Sequence, residues 1–229
     1  MSGLSIPTIR RAAVALLLVT LVATIIPAAA HAQPADPQVI SIAEARSLPM
    51  GTVVTIDGSV TVPSGAFNSS TFDQGFAIQD HTGGIYVSVP VNPGLGLRQQ
   101  VRVTGELGDT VQPGLLVLFH VTDIKAHGTG PKVQALPVAT GAVGEGTEGK
   151  LVRISGTITQ PIFTDLPYGY IIFINDGSGE VHSFVSASTG IDVSGLSQGQ
   201  TIEVTGFSSQ FGTSYEVDPR TQDDIRVLP

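Results

Sequence analysis

The chain has no cysteine and no tryptophan among its 229 residues, and only 11 lysines and arginines stand against 19 acids. Without cysteine there is no disulfide framework, no thiolate metal site and no N-terminal cysteine to carry a lipid, so the fold must stand on its core alone. The shortage of cations argues against a polyanionic partner unless those few are clustered. Helix-periodic stretches are scarce too, whereas glycine (27) and proline (15) are plentiful, a balance that suits short strands joined by turns. One long apolar run exists, over residues 12–26, behind Arg10 and Arg11 and ahead of Ala30-His31-Ala32. This pattern predicts a secretory signal peptide over 1–32, cleaved after Ala32, in preference to a retained membrane anchor, for which the run is short, and hence a secreted or periplasmic protein with no membrane span once the signal is removed. Loss of both signal arginines takes the 11 cations to 9 against 19 acids, a formal charge near −10.

The remaining chain repeats itself. FAIQDHTGGIYVSV at 76–89 is echoed by IFINDGSGEVHSFV at 172–185, TIDGSVT at 55–61 by RISGTIT at 153–159, and QVRVTGEL at 100–107 by TIEVTGFS at 201–208. The blocks keep their order about a hundred residues apart, a domain-sized period rather than a solenoid one. In each 14-residue block two β-prone runs flank an aspartate–glycine turn, which is a hairpin signal. The segments predict a mobile lead at 33–39, a first module at 40–127, a linker at 128–148 and a second module at 149–229. Within the first, Ser41 and Glu44 have capping-box spacing and open a short helix that Pro49 stops, plugging one end through Ile42 and Leu48. A long strand at 52–62 carries Gly58 in its middle, where a barrel strand coils sharply; Gly156 holds the same place in the second module. Phe67 and Phe72 lie in the loop that follows 52–62.

A strand with a central glycine, an aspartate-turn hairpin, a loop, a V-T-G strand and a closing strand fit the five-stranded oligonucleotide- and oligosaccharide-binding (OB) barrel. The reading is all-β: two tandem five-stranded OB-fold barrels after an N-terminal signal peptide. At GKLV (149–152), NDGSGEV (175–181), TGI (189–191), VTG (204–206) and YEVDPRTQDDI (215–225) the chain resembles the tandem OB-fold modules of secreted bacterial nucleases and related extracellular proteins. GTV (51–53), Gln79-Asp80, GGI (83–85) and VTG (103–105) carry the likeness in the first module. In those nucleases catalysis resides in a separate large domain that this chain lacks. The resemblance therefore implies an accessory, binding role and not nuclease activity.

Nothing in the residues demands an enzyme. Asp80 and Asp176 sit at turns where a carboxylate accepts backbone N–H bonds. His81, His120, His127 and His182 have neither His-x-x-x-His nor His-Glu company, so no zinc site is expected, and the run 176–180 lacks the alternating oxygens of a calcium loop. Asp218, Asp223 and Asp224 near Arg220 and Arg226 read as a solvated ion-pair network closing the second barrel.

A binding face is the remaining candidate. OB ligands usually cross the second and third strands, flanked by the loops after the first and fourth. Alternation turns Gln79 and Tyr86 outward in the first module and Phe173, Asn175, His182 and Phe184 in the second, with Tyr168, Tyr170 and Phe211 adjoining from loops. Such rings could carry unstacked bases or sugars; they equally suit a seam between modules. Arg102, Lys150 and Arg153 are the candidate basic contacts. Single-stranded nucleic acid is the first partner expected, a protein or envelope glycan the alternative, and no cofactor or metal is called for.

Overall fold

The computed structural model describes residues 2–3, 38–67, 73–109 and 114–229. The predicted signal peptide at 1–32, most of the lead and Phe72 lie outside the described residues. Residues 37–229 form one compact unit.

That unit is all-β. In chain order its strands are β1 (Val39–Ile40), β2 (Val53–Val62), β3 (Phe76–Gln79), β4 (Gly84–Val87), β5 (Gln99–Gly108), β6 (Val117–Thr129) and β7 (Leu136–Pro137). They continue with β8 (Leu151–Ile158), β9 (Phe163–Asp165), β10 (Gly169–Asn175), β11 (Glu180–Ser186), β12 (Thr201–Phe211), β13 (Ser214–Asp218) and β14 (Ile225–Val227). Pairing closes the first sheet as β2–β3–β4–β6–β5 and back to β2, with β4–β6 the parallel contact of the ring. The second closes as β8–β10–β11–β13–β12 and back to β8, with β11–β13 parallel. Both rings have the OB strand order, in which the first strand pairs with the second and the fourth.

Each barrel buries the residues that alternate inward. Ile56, Ile78, Ile85, Val101 and Val103 are wholly buried in the first core, and Ile158, Ile172, Ile174, Ile202 and Val204 in the second. At roughly 1.5–3 kcal/mol per buried aliphatic side chain, these layers outweigh any surface ion pair. Gly58 and Gly156 have a more specific reason than coiling: a Cβ on Gly58 would meet the Gln79 backbone at 3.1 Å, and one on Gly156 the Asn175 carbonyl carbon at 2.7 Å. The first strand crosses directly over the end of the second there, and only hydrogen fits.

The segments before each barrel are tied down in the same way. A two-residue strand lies parallel on the first strand, β1 on β2 and β7 on β8. After it comes a helical turn, α1 (Ile42–Arg46) or the 3-10 turn Thr140–Ala142. The hairpin aspartate then receives that turn's N–H: Ile42 N donates to Asp80 Oδ2 at 2.9 Å and Thr140 N to Asp176 Oδ2 at 3.1 Å. The Ser41 hydroxyl caps α1 by accepting from Glu44 N, and Ile42 is wholly buried with Leu48 packed against the same core. Lead and linker both take part in strand pairing. Val39, read as mobile lead, is paired with Thr55. The stretch read as linker holds the end of β6, then β7 and the 3-10 turn, because Thr140 is anchored to Asp176 and Val138 packs on the second core.

Candidate functional site

Two outer faces decide where a ligand can lie. In the first barrel the outward residues of β3 and β4 are sealed. Tyr86 is 4% exposed, with its ring 6.1 Å from that of Phe207 of β12, and both belong to a cluster with Val62, Ala77, Leu115 and Val117. Its hydroxyl donates to Asp73 Oδ1 at 2.9 Å. Burial, reinforced by the Asp73 carboxylate, pushes the phenol well above the usual tyrosine value. Gln79 Oε1 accepts from Leu151 N at 2.8 Å, so it joins the barrels. Gly84 and Gly149 meet backbone to backbone beside it, a contact that leaves no room for a Cβ on either residue. Tyr86 and Gln79 are therefore seam residues and not a ligand platform, since apolar area left open on one barrel is most cheaply buried against the next.

The second barrel keeps its face. Ile172 and Ile174 point into the core, so Ile171, Phe173 and Asn175 point out, joined across the hairpin by Glu180, His182 and Phe184. Register sorts them into rows that cross the strands. Phe163 of β9, Ile171 and Phe184 form one row, Phe173 and His182 the next, Asn175 and Glu180 the third. Rows on one face are spaced at about 6.6 Å, two residues along a strand. Phe173 and His182 pack edge to face with centroids 4.7 Å apart. Tyr170 does not join them: it is in phase with Ile172 and packs on the second core. Phe163 of β9, Leu166 and Tyr168 in the bend after it, and Phe211 at the end of β12 are each close to half exposed or more. Phe163 and Ile171 had no place in the sequence reading because β9 is three residues long inside a proline-containing loop. The available signal was the apolar pair on either side of the Leu166–Gly169 bend.

The basic residues expected beside this face are elsewhere. Arg102 is on β5 and meets Asp57 at 3.4 Å; Arg153 is on β8 and meets Glu203 at 3.7 Å; Lys150 donates to Gly146 O. No lysine or arginine stands on β9, β10, β11 or β13, while Asp165, Glu180, Glu216 and Asp218 do.

The C-terminal acids also differ from expectation. Asp224 grips Arg220 through both oxygens, with side chains only 9% and 11% exposed, so this pair is largely dry rather than solvated. Asp218 takes no part in it. Val217 points into the core, so Glu216 and Asp218 point outward with Ser209 and Phe207, their register partners on β12, into the seam. Burial pushes the Glu216 carboxyl up to about 7. Burial, and then the Glu216 charge, raises Asp218 well above the carboxylate range. Sequence reasoning missed this pair because acids alternating with Tyr215 and Val217 look like the solvent side of a strand. Among the described residues no group of three or more histidines and acids is placed to hold a metal ion, and no helix is long and apolar enough to cross a membrane.

Neither a family model nor a curated protein matches the chain. Solved structures that resemble it include the hypothetical protein ygiW from E. coli, 20% identical over 39% of this chain and 90% of its own, with a TM-score of 0.30. A murine DNA binding protein bound with double-stranded DNA is 14% identical over 72% of this chain and 90% of its own, TM-score 0.38. A replication protein A heterotrimer bound to single-stranded DNA is 11% identical over 80% of this chain and 51% of its own, TM-score 0.32. At these values the likeness says nothing of ligand or activity, and the OB assignment rests on the strand order of the chain itself.

Proposed function

We propose that this chain is an exported, non-catalytic binding protein that holds a neutral oligosaccharide across the outer face of β9, β10 and β11. The observation that carries the reading is a set of exposed and half-buried rings in two adjacent rows, Phe163 and Phe184 in one and Phe173 in the next, on strands without a single lysine or arginine. Ring planes suit the apolar faces of sugars, and the polar ends of Asn175, His182 and Glu180 beside them suit hydroxyl groups. A phosphate polymer would meet acids here and gain none of the counterion release that drives its binding. Export is supported by the leader pattern at 1–32, and an accessory role by the resemblance to modules that accompany secreted nucleases. A binding role is further supported by the seam, which takes up the two carboxyls that burial raises most, Glu216 and Asp218.

Single-stranded nucleic acid is the second reading, favoured by the same rings, since stacking is worth about 1–3 kcal/mol per base. Calorimetric titration with neutral oligosaccharides, beside fluorescent oligonucleotides at about 20 mM and about 150 mM salt, separates the two. Sugar binding that salt leaves unchanged is expected. Oligonucleotide binding that falls steeply with salt, with no sugar bound, would replace the first reading by the second.

A further inference from the structure

The outer surface of the second barrel does not stop at its open face. The row of Phe173 and His182 continues in register through Glu216 of β13 to Ser209 of β12, and two residues along those strands Asp218 and its partner Phe207 lie against Tyr86 of the first barrel. Glu216 is 8% and Asp218 4% exposed, and Asp218 Oδ1 has no hydrogen-bond partner among the described residues. Ser209 donates to Asp218 from β12, and His182 stands beside Glu216 on β11. From the first barrel Asp218 is faced by Tyr86, a phenol whose hydroxyl already serves Asp73 and which brings no positive charge. Arg220, two residues beyond Asp218, is held by Asp224 and by the Thr61 carbonyl. No described cation therefore balances the pair, and ionised carboxylates in a dry contact are tolerated only when paired.

We propose that the seam is a proton-operated latch: Glu216 and Asp218 seat the second barrel on the first while they carry protons, and their ionisation loosens that seat. Burial of both groups raises the affinity of each for its proton, so the latch acts near neutrality. Because Glu216 shares its row with His182, a loosened seam also frees one margin of the open face. The latch does not depend on what that face binds.

The native chain has no cysteine, so two introduced ones take spin labels uniquely. Lys125→Cys on β6 and Arg226→Cys on β14 report the separation of the barrels in the full chain. At pH 5 one narrow distance is expected. A longer population should grow by up to about tenfold per pH unit between about 5 and about 7 and level off above that, with the far-ultraviolet dichroism of both barrels intact. The double variant Glu216→Gln, Asp218→Asn should keep the narrow distance at pH 9. A single unchanged distance from pH 5 to pH 9 in the parent overturns the latch even if the variant fails to fold, and so does a fall in thermal stability without a change in distance.

Discussion

Asp80 ties the start of α1 to its own hairpin turn with one carboxylate. Oδ2 accepts from Ile42 N, and Oδ1 from Thr82 N and Gly83 N at 2.7 and 2.8 Å. Burial alone would raise its titration, but these N–H donors together with the Thr82 hydroxyl more than offset that and lower it. Asp80→Ala strands the donors and should cost about 1–2 kcal/mol by urea unfolding, with Asp80→Asn recovering part of the loss. Two phenylalanines separate packing from binding at the same scale. Phe207, 1% exposed between Tyr86 and Phe67, leaves a hole when cut to alanine, a loss of about 3–5 kcal/mol in stability. Phe163, 54% exposed, should cost at most about 0.5 kcal/mol in stability as alanine. It should still weaken oligosaccharide binding about tenfold, some 1.4 kcal/mol. Equal effects of Phe163→Ala on folding and binding would remove it from the face. The turn aspartates and the outward set of β10 and β11 were legible from residue type and alternation. The same count, carried one step back from Ile172, would have turned Tyr170 inward.

At the scale of elements, charge pairs divide by burial. Arg102–Asp57 and Arg153–Glu203 lie on outer strand surfaces with side chains up to 42% and 46% exposed. Arg102→Ala, Lys150→Ala and Arg153→Ala should each change stability by no more than about 1 kcal/mol and leave ligand affinity where it was. A shared loss of affinity in all three would restore the basic stripe that the sequence suggested. Arg46 of α1 is different. It donates to Glu148 Oε1 at 2.7 Å, and Glu148, 2% exposed, also accepts from Leu116 N in the first barrel. Burial raises the Glu148 carboxyl further than Arg46 lowers it. Arg46→Ala leaves that carboxylate buried and unpaired, a cost of about 3–5 kcal/mol in chemical denaturation, which Arg46→Ala with Glu148→Gln should partly restore. The strands themselves were legible as elements because their period is two and their turns are marked. β9 and β7 were not, since strands of two or three residues owe their pairing to a neighbour rather than to a pattern of their own.

For the whole molecule, proton uptake sets the pH of greatest stability. Glu216 titrates at about 7 when folded against an ordinary value of 4.5, so across that window the folded chain keeps a proton that the unfolded chain has lost. Stability therefore falls as pH rises from about 4.5 to about 7, with Asp218 acting in the same direction, and levels off above the folded value. Asp80 and Asp176 act oppositely. Their folded values lie below the ordinary 3.8, so the stability they contribute is present above it and lost as pH falls further. The expected optimum is near pH 5, read from urea midpoints at about pH 3, 5 and 8. Glu216→Gln should flatten the alkaline limb alone; an optimum at pH 8 in the parent would mean that the seam acids are not buried as described.

Alternation, turn aspartates and the glycines at 58 and 156 were enough to determine two β barrels and the order of their strands, because period and backbone room are local properties that residue types express directly. Which barrel keeps an open face was decided only in three dimensions. Tyr86 and His182 hold equivalent places in the two repeats, yet one is sealed against Phe207 and the other packs on Phe173 of the open face. That difference comes from the docking of one barrel on the other, a contact between residues 121 positions apart that no local pattern encodes.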